Sequence, residues 1–200
     1  MIWLVLSILA WGVVHSLLAS LQVKELARRW FGRNGLRFYR LFYNAFAMVS
    51  FLPVLGVAAL TPDRILYAVR FPWSVLMVLG EILAIAGLVA GVLKTGVWDF
   101  LGLQPFMGNK KPARLTITGL YHYVRHPLYA AGLALIWLLP HMTVNALVMN
   151  IALTIYILVG ALFEERKLRH EFGQEYIDYA KCTPMLIPFT KWNKKHPRSS

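Results

Sequence analysis

The chain has 200 residues, of which 58% are hydrophobic and only 15% are charged. This balance and a mean hydropathy of +0.55 exclude an ordinary soluble domain and are typical of an integral membrane protein. A net charge of +12 would suit a nucleic-acid-binding protein, but the basic residues lie between apolar runs and do not share one polar face. Membrane topology and anionic lipid explain them better, so we expect no nucleic-acid partner. With one cysteine, Cys182, and no CxxC or HExxH motif, neither a disulfide nor a metal site is predicted.

Three apolar runs in the first half are long enough to cross a bilayer, which needs roughly 20 apolar residues. They cover residues 2–20, about 41–60 and about 73–93. The stretch between the first two runs, residues 21–40, is predicted to be a basic loop. It holds six Lys or Arg against one Glu, and Gly32 and Gly35 interrupt any single continuous helix there.

Two ionisable residues fall inside these runs. His15 lies in the second half of the first run, where a lone histidine is most often a packed, hydrogen-bonded residue. Glu81 lies eight residues past Trp73, roughly 12 Å along a helix and well below the interface. A charge at that depth is expensive, so Glu81 is protonated, pairs with His15 or an arginine, or lines a polar cavity. Both are functional candidates by position.

The second half begins with a long polar connection, residues 94–127, which is longer than a purely structural loop requires. The apolar run at 128–139 has only twelve residues and is marginal as an independent span, whereas the run at 142–163 is long enough. A helical hairpin that turns at Pro140-His141 accommodates both runs. The last helix is then predicted to end at Gly173, a residue type that often follows a helix C-terminus.

The distribution of basic residues predicts the topology. Lys and Arg number six in residues 21–40, two in 61–72, five in 94–127 and eight in 164–200. With a hairpin after residue 127, the three basic-rich regions fall on one side, which the positive-inside rule makes cytoplasmic. We therefore predict an all-α integral membrane protein with about five transmembrane helices, its N-terminus outside and its C-terminus in the cytoplasm.

One short stretch concentrates the polar chemistry between apolar segments: Gly119-Leu120-Tyr121-His122-Tyr123-Val124-Arg125-His126-Pro127-Leu128-Tyr129. Pro127 suits the first position of a helix and biases His126 away from the α region. Arg125, His126 and Tyr129 are thereby predicted to gather at a helix N-terminus, which favours an anionic group. The alternative is a juxtamembrane anchor, because Arg and Tyr commonly lie at the membrane interface.

Two adjacent carboxylates, Glu164 and Glu165, stand where the last helix leaves the membrane. Membrane flanks favour Lys and Arg, so this pair is unusual. It either pairs with Lys167, Arg169 or the upstream basic residues, or it takes part in a polar pocket at the cytoplasmic face. Such a pocket offers cations and helix-end donors for a carboxylate, carboxylates for amines or ribose hydroxyls, and an apolar strip for a flat ring. These are the needs of S-adenosylmethionine or of a related nucleotide-bearing ligand. The sequence has no GxGxxG or P-loop, so neither a Rossmann nor a Walker site is available, and the residues by themselves indicate only a polar pocket at the cytoplasmic face.

The pattern G-L-Y-x-Y-V-R-H-P-L-Y, followed by E-E-x-x-L, F-G-x-E-Y-x-x-Y and P-x-L-I-P, resembles the isoprenylcysteine carboxyl methyltransferase superfamily, which includes phospholipid methyltransferases. The resemblance covers about residues 115–188. The segments 15–20, 39–44 and 101–104 are similar to its nurim-like branch, which holds bacterial methanethiol S-methyltransferases and NnrU-like proteins. Members are integral membrane enzymes that use S-adenosylmethionine.

The resemblance implies one methyltransferase domain over residues 1–200, in a prokaryotic cytoplasmic membrane, with its cofactor part at 115–188. It assigns cofactor binding to seven residues: Arg125, His126, Pro127, Tyr129, Glu164, Glu165 and Leu186. Leu186 falls in the segment that would cover the adenine. For the acceptor, a base or cation reached through the bilayer interior would favour a thiolate, the nucleophilic form of a thiol. The candidates for that catalytic role are His15, Arg40 and Glu81.

The class of methyl acceptor follows from one position at which this sequence departs from the family pattern. Prenylcysteine carboxyl methyltransferases tend to carry an arginine one turn before the glutamate pair, and here that position is Gly160. A small thiol or another small or lipophilic acceptor is therefore favoured over a prenylcysteine carboxylate or a lipid. Two other classes stay open, namely a non-catalytic NnrU-like accessory protein and a small proton-coupled transporter that uses Glu81 and His15.

Overall fold

The computed structural model describes residues 1–98, 103 and 115–190, except for the side chains of residues 21, 33–37, 40 and 95. The remaining part of the predicted polar connection, with Asp99, Gln104, Lys110, Lys111 and Arg114, lies outside the described residues, as do three of the four residues 101–104 and the basic tail. The described elements are α1 (Ile2–Ala19), α2 (Leu21–Leu60), β1 (Ile65–Ala68), α3 (Trp73–Thr95), α4 (Leu120–Tyr123), α5 (Pro127–Trp137), β2 (His141–Thr143) and α6 (Val144–Cys182).

The prediction of a helical membrane protein is confirmed. Within the described residues, four helices are long and apolar enough to cross a bilayer, namely Ile2–Ala19, Leu41–Leu60, Trp73–Lys94 and Val144–Cys182. Large apolar side chains such as Trp3, Leu52 and Leu83 are 60–72% exposed along these helices, as expected of surfaces that face lipid. The chain is therefore an integral membrane protein.

The fifth predicted span is α5, which has 11 residues. At 1.5 Å per residue it rises about 17 Å, roughly half of the hydrocarbon thickness, so α5 alone does not cross a bilayer. The predicted hairpin with α6 is nonetheless present. Trp137 Nε1 donates to Thr154 Oγ1 at 2.9 Å near the turn, and 11 residues away on each helix His126 Nε2 donates to Glu165 Oε1 at 2.9 Å. These two bonds set α5 and α6 side by side and antiparallel.

The prediction of a loop at residues 21–40 is wrong, because this stretch is the first half of α2. Ser20 starts the helix by accepting a hydrogen bond from the backbone N–H of Val23, and the following residues are mostly good helix formers. Gly32 does interrupt the helix as predicted, with φ 64° and ψ −165°. Glycine adopts this conformation at little cost, so the direction of the chain changes there.

The described chain divides into two compact units, each assembled from three stretches of sequence. The first unit comprises Met1–Ala68, Leu93–Lys111 and His141–Ala152, and the second comprises Val69–Val92, Pro112–Pro140 and Leu153–Ser200. Whether they act as the single domain predicted from the sequence stays a prediction.

In the first unit, α1 packs against the second half of α2 and the beginning of α6 around the buried residues Leu4, Ile8 and Val54. β1, which lies in the predicted loop 61–72, pairs antiparallel with β2. Asn145 closes the end of α2 by donating from Nδ2 to the carbonyls of Ala58 and Thr61. These bonds satisfy carbonyls that the end of a helix leaves without partners.

In the second unit, α3 approaches α5 at glycines. A Cβ at Gly91 would lie 2.7 Å from Leu128 Cδ2, and one at Gly80 would lie 2.7 Å from Leu138 Cδ1. The absence of side chains at these positions lets the two helices pack closely, as is common between membrane helices. At the far end of α6, Gly173 has φ 56° and ψ −128°. The helix is broken there as predicted, but a further helical segment continues to Cys182.

Candidate functional site

The Arg125-His126-Pro127 corner has the predicted local structure. His126 is the N-cap of α5 with φ −121° and ψ 69°, and Pro127 occupies the start of the helix. The backbone N–H groups of Arg125 and His126 donate to the carbonyls of Pro184 and Met185 at 2.9 and 3.1 Å. The segment 183–186, which we call the strap, therefore lies along the corner.

Arg125 and Glu165 form a buried ion pair at this corner, with side chains only 7% and 6% exposed. Arg125 Nε donates to Oε1 at 2.8 Å and Nη2 donates to Oε2 at 2.9 Å, the two-pronged geometry that a guanidinium and a carboxylate favour. Nη1 donates to the carbonyls of Ala180 and Thr183. Of the N–H donors of this guanidinium, all but one are thereby used inside the protein.

Glu165 Oε1 also accepts from His126 Nε2 at 2.9 Å and from the hydroxyl of Tyr176 at 2.6 Å. A carboxylate buried to this degree is stable only when it is paired with a cation and hydrogen-bonded. Here Arg125 supplies the positive charge, and three side chains donate hydrogen bonds. Arg169 contributes little, because its Nη2 lies 3.9 Å from Oε2 and its side chain is 59% exposed. Glu165 thus joins the start of α5 to both segments of α6, and its partner Arg125 holds the strap.

This burial decides between the two interpretations of the corner. An anchor at the membrane interface keeps its charged group in water while its aliphatic part lies along apolar surface. Arg125 and His126 are instead only 9% and 6% exposed. The corner is therefore a built polar site.

Glu164 differs from its neighbour, because its side chain is 45% exposed. Its Oε2 lies 3.6 Å from His126 Nδ1, which is beyond hydrogen-bond distance. Burial and the charge of Glu164 both raise the pKa of Tyr121, whose phenol lies on α4. Glu164 is therefore the carboxylate of the pair that has an open side from which a ligand can approach.

Aromatic and apolar side chains border the same corner. The rings of His126 and Tyr129 stack with centroids 5.4 Å apart, and Tyr123 meets Phe189 edge-on at 6.3 Å. Leu186 is half-buried in the strap. Thr183 is fully buried, and its hydroxyl has no hydrogen-bond partner among the described residues.

Sequence reasoning did not assign Tyr176 and Tyr179 to the site, although both lie within the F-G-x-E-Y-x-x-Y motif. Tyr176 binds Glu165, and the Tyr179 hydroxyl donates to the carbonyl of Tyr121. Gly173 breaks the helix between Glu165 and Tyr176, and the change of chain direction there lets Tyr176 reach the carboxylate. The only signal in the sequence was the presence of both tyrosines in that motif.

The three predicted catalytic residues are described to different extents. In the first unit, His15 Nε2 shares a hydrogen bond of 2.5 Å with the hydroxyl of Tyr43, and Trp11 stacks on the imidazole with ring centroids 4.8 Å apart. Tyr43 joins α2 to α1 through this bond, a contact that the sequence did not predict. The side chain of Arg40 lies outside the described residues.

Glu81 belongs to the second unit and is half-buried on α3, four residues after Met77 and three before the buried Ala84. Within the described part of the chain it has no hydrogen bond or ion pair, so none of the predicted pairings is seen there. No group of three or more metal-binding side chains occurs among the described residues.

No family model matches the chain, and no solved structure matches it. Several curated proteins do, among them three that are named methanethiol S-methyltransferase. The chain is 45% identical over 102 residues to the protein of Pseudomonas deceptionensis, 44% over 78 residues to that of Crocosphaera subtropica, and 40% over 77 residues to that of Mycobacterium tuberculosis.

These stretches cover 48%, 39% and 38% of this chain, in the same order. They cover 38%, 31% and 30% of the relatives, so the chain spans well under half the length of the curated proteins that it matches. Over that part, the chain is similar to methanethiol S-methyltransferases, the branch that the sequence motifs indicated.

Proposed function

We propose that the protein is an S-adenosylmethionine-dependent membrane methyltransferase that acts on a small thiol. The observation that supports this most is the Glu165-centred corner, where Arg125, His126 and Tyr176 converge beside the exposed carboxylate of Glu164. The names of the relatives state methyl transfer to methanethiol, and this chain shares part of their sequence. When bound, S-adenosylmethionine supplies an activated methyl group that a thiolate takes up by in-line displacement.

The described residues fit such a cofactor. Glu164 offers a carboxylate for an ammonium group or for ribose hydroxyls, and the positive end of α5 suits a carboxylate. The buried hydroxyl of Thr183 has hydrogen-bonding capacity that none of the described residues uses, which is unfavourable unless a ligand or water uses it. Leu186 and Phe189 in the strap provide apolar surface for a flat ring.

The roles of the predicted cofactor residues divide accordingly. Arg125 and Glu165 satisfy each other, so they hold the strap and the corner in position. Glu164, Tyr129 and Leu186 are the residues we assign to direct contact. We assign both roles to His126, namely holding the corner in position and contacting the cofactor, because its Nε2 is bound to Glu165 while its ring stacks on Tyr129.

For the acceptor we keep His15, Arg40 and Glu81 as the candidates that favour the thiolate. His15 is the best supported, because Tyr43 and Trp11 fix the orientation of its ring inside the membrane. An oriented base reduces the entropy lost on reaching the reactive arrangement. A small-thiol acceptor is also favoured because Gly160 stands one turn before the glutamate pair, where an arginine would suit a carboxylate acceptor.

We place the protein in a prokaryotic cytoplasmic membrane with the N-terminus outside and the corner on the cytoplasmic side. Glu165 follows Val144 by 21 residues, a rise of about 32 Å, which is close to the hydrocarbon thickness. Fusion of a cytoplasm-active or a periplasm-active reporter to the C-terminus tests this orientation.

The deciding experiment is calorimetric titration of S-adenosylmethionine into the detergent-purified protein. We expect binding by the wild type, loss of binding in His126→Ala, and binding at least about tenfold weaker in Glu164→Gln, since a hydrogen bond to a charged group contributes roughly 1.5–3 kcal/mol. Glu171→Gln, an exposed carboxylate further along α6, is the matched control and should bind normally. A folded wild type that does not bind would favour a non-catalytic accessory protein.

If binding is confirmed, the product of methanethiol methylation is measured by gas chromatography of the headspace. A prenylcysteine analogue and a phospholipid are supplied in parallel as competing acceptor classes. Turnover with either of these and none with methanethiol would overturn the small-thiol assignment while leaving the cofactor site intact.

A further inference from the structure

A short helical segment, residues 21–31, lies between the first two membrane-spanning segments and has a defined beginning and end. Ser20 is extended, with φ −65° and ψ 152°, and caps the helix through its side chain. Gly32 leaves the helical region at φ 64°. Because of these two interruptions, the axis of this helix does not continue the axes of the spans on either side of it. We call residues 21–31 the amphipathic segment. Because both ends continue into membrane-spanning helices, the segment lies near one membrane interface.

From Val23 onwards, the apolar side chains of the segment share one face. At about 100° per residue, they fall within an arc of about 140°, which is typical of an amphipathic helix. The members of this face are Val23, Leu26, Ala27, Trp30 and Phe31.

Most of this apolar face is not covered by the residues that the structure describes. Trp30, Phe31 and Leu26 are 72%, 68% and 43% exposed. An exposed patch that contains two large aromatic rings marks an interaction surface. Tryptophan and phenylalanine on the apolar face of a basic helix are typical of helices that lie in the plane of a membrane interface.

Cations border the apolar face along both of its edges. Lys24 and Arg28 follow one edge, and Arg29 lies beyond the other. The side chains of Arg28 and Arg29 are 56% and 75% exposed, and each is only loosely paired with Glu25, at 3.6 and 3.9 Å. The segment thus carries a net positive charge, with long side chains that can reach headgroups above the buried ring of Trp30.

We propose that the amphipathic segment is an interfacial helix that inserts Trp30 and Phe31 among the acyl chains while its arginines bind anionic phospholipid headgroups. The occupant of this face is therefore the anionic leaflet itself. Charge complementarity supports this choice, since each Lys or Arg near an anionic surface adds to the attraction. The inference does not depend on the proposed methyltransferase function.

The test uses the full-length protein reconstituted in phosphatidylcholine vesicles with and without about one-third phosphatidylglycerol. Cys182 is the only cysteine, so Cys182→Ser gives a background for labelling one site at a time. An environment-sensitive fluorophore is attached at Trp30→Cys on the apolar face or at Arg29→Cys on the polar face. Lipids that carry a spin label on the acyl chain then quench any fluorophore that reaches the hydrocarbon.

We expect quenching at position 30 to exceed that at position 29 several-fold, with blue-shifted emission at position 30 only. Emission that is blue-shifted but not quenched would show that protein covers the face, and water-like emission at both positions would show that it stays in solution. Either result overturns the proposal.

The role of the arginines is tested in the vesicles that contain phosphatidylglycerol. Arg28→Gln/Arg29→Gln should lower quenching at position 30, whereas the matched control Arg166→Gln/Lys167→Gln, two exposed cations of α6, should not. Equal quenching in both variants, or in both types of vesicle, would refute the binding of anionic headgroups.

Discussion

The Glu165→Gln substitution offers the sharpest test of how the candidate site is held together. It removes the negative charge from a pair whose side chains are 7% and 6% exposed, so solvent screens the interaction very little. Arg125 is left buried with its charge uncompensated. Breaking a buried pair in this way costs about 3–5 kcal/mol.

For a chain of this size, about 1 kcal/mol corresponds to a change of about 2–4 °C in melting temperature, so we expect a decrease of about 6–20 °C. The assay is thermal unfolding of the detergent-purified protein followed by tryptophan fluorescence. Glu164→Gln is the matched control, because its side chain is 45% exposed. Its effect should stay within about 0.5 kcal/mol, the usual range for surface substitutions.

The double variant Arg125→Met/Glu165→Gln completes the cycle, since it removes the stranded charge together with its partner. Its loss of stability should be smaller than the sum of the two single losses, as expected for residues in direct contact. A melting temperature of Glu165→Gln within about 2 °C of the wild type would refute the reasoning, because it would mean that Glu165 does not compensate Arg125.

Three further predictions concern other parts of the chain. His15→Ala, and to a lesser degree Tyr43→Phe, should lower turnover while S-adenosylmethionine binding measured by calorimetry is unchanged; loss of binding would contradict this division of roles. Gly91→Ala should destabilise the protein by about 1–3 kcal/mol through overpacking, whereas Gly132→Ala meets open space and should change the melting temperature little. Burial raises the pKa of Asp63, but hydrogen bonds from Thr143, Asn145, Arg64 and Val144 outweigh it and lower the pKa below 3.8. Asp63 therefore stabilises the fold above about pH 3.8, and this contribution is lost as the pH falls further. The difference in free energy of unfolding between the wild type and Asp63→Asn should therefore shrink in acid.

The proposed function gives separate tasks to two adjacent carboxylates. Glu165 faces inward on α6 and satisfies Arg125, His126 and Tyr176, whereas Glu164 is turned by about 100° and reaches solvent. A buried charge network is costly to build and rigid once it is satisfied. It therefore suits a site that must hold its ligand-contacting groups in fixed positions.

Several features of this protein were determined by the sequence itself. Apolar runs of about 20 residues predicted membrane spans, because a backbone in hydrocarbon must satisfy its own hydrogen bonds. Pro127 determined the start of α5, since its ring fixes φ and restricts His126. Gly32 and Gly173 marked helix interruptions for the same local reason.

Other features depended on contacts between residues far apart in the chain. Nothing local distinguishes Glu164 from Glu165, and only the packing of α5 against α6 makes one the buried partner of Arg125 and leaves the other open. The helical state of residues 21–40 follows from helix propensity and the Ser20 cap, which the density of basic residues in this stretch conceals. The bond between His15 and Tyr43 likewise required α1 and α2 to be side by side. Local sterics act over a few residues and can be read from sequence, whereas the partner of a buried charge is chosen by packing and appears only in the tertiary structure.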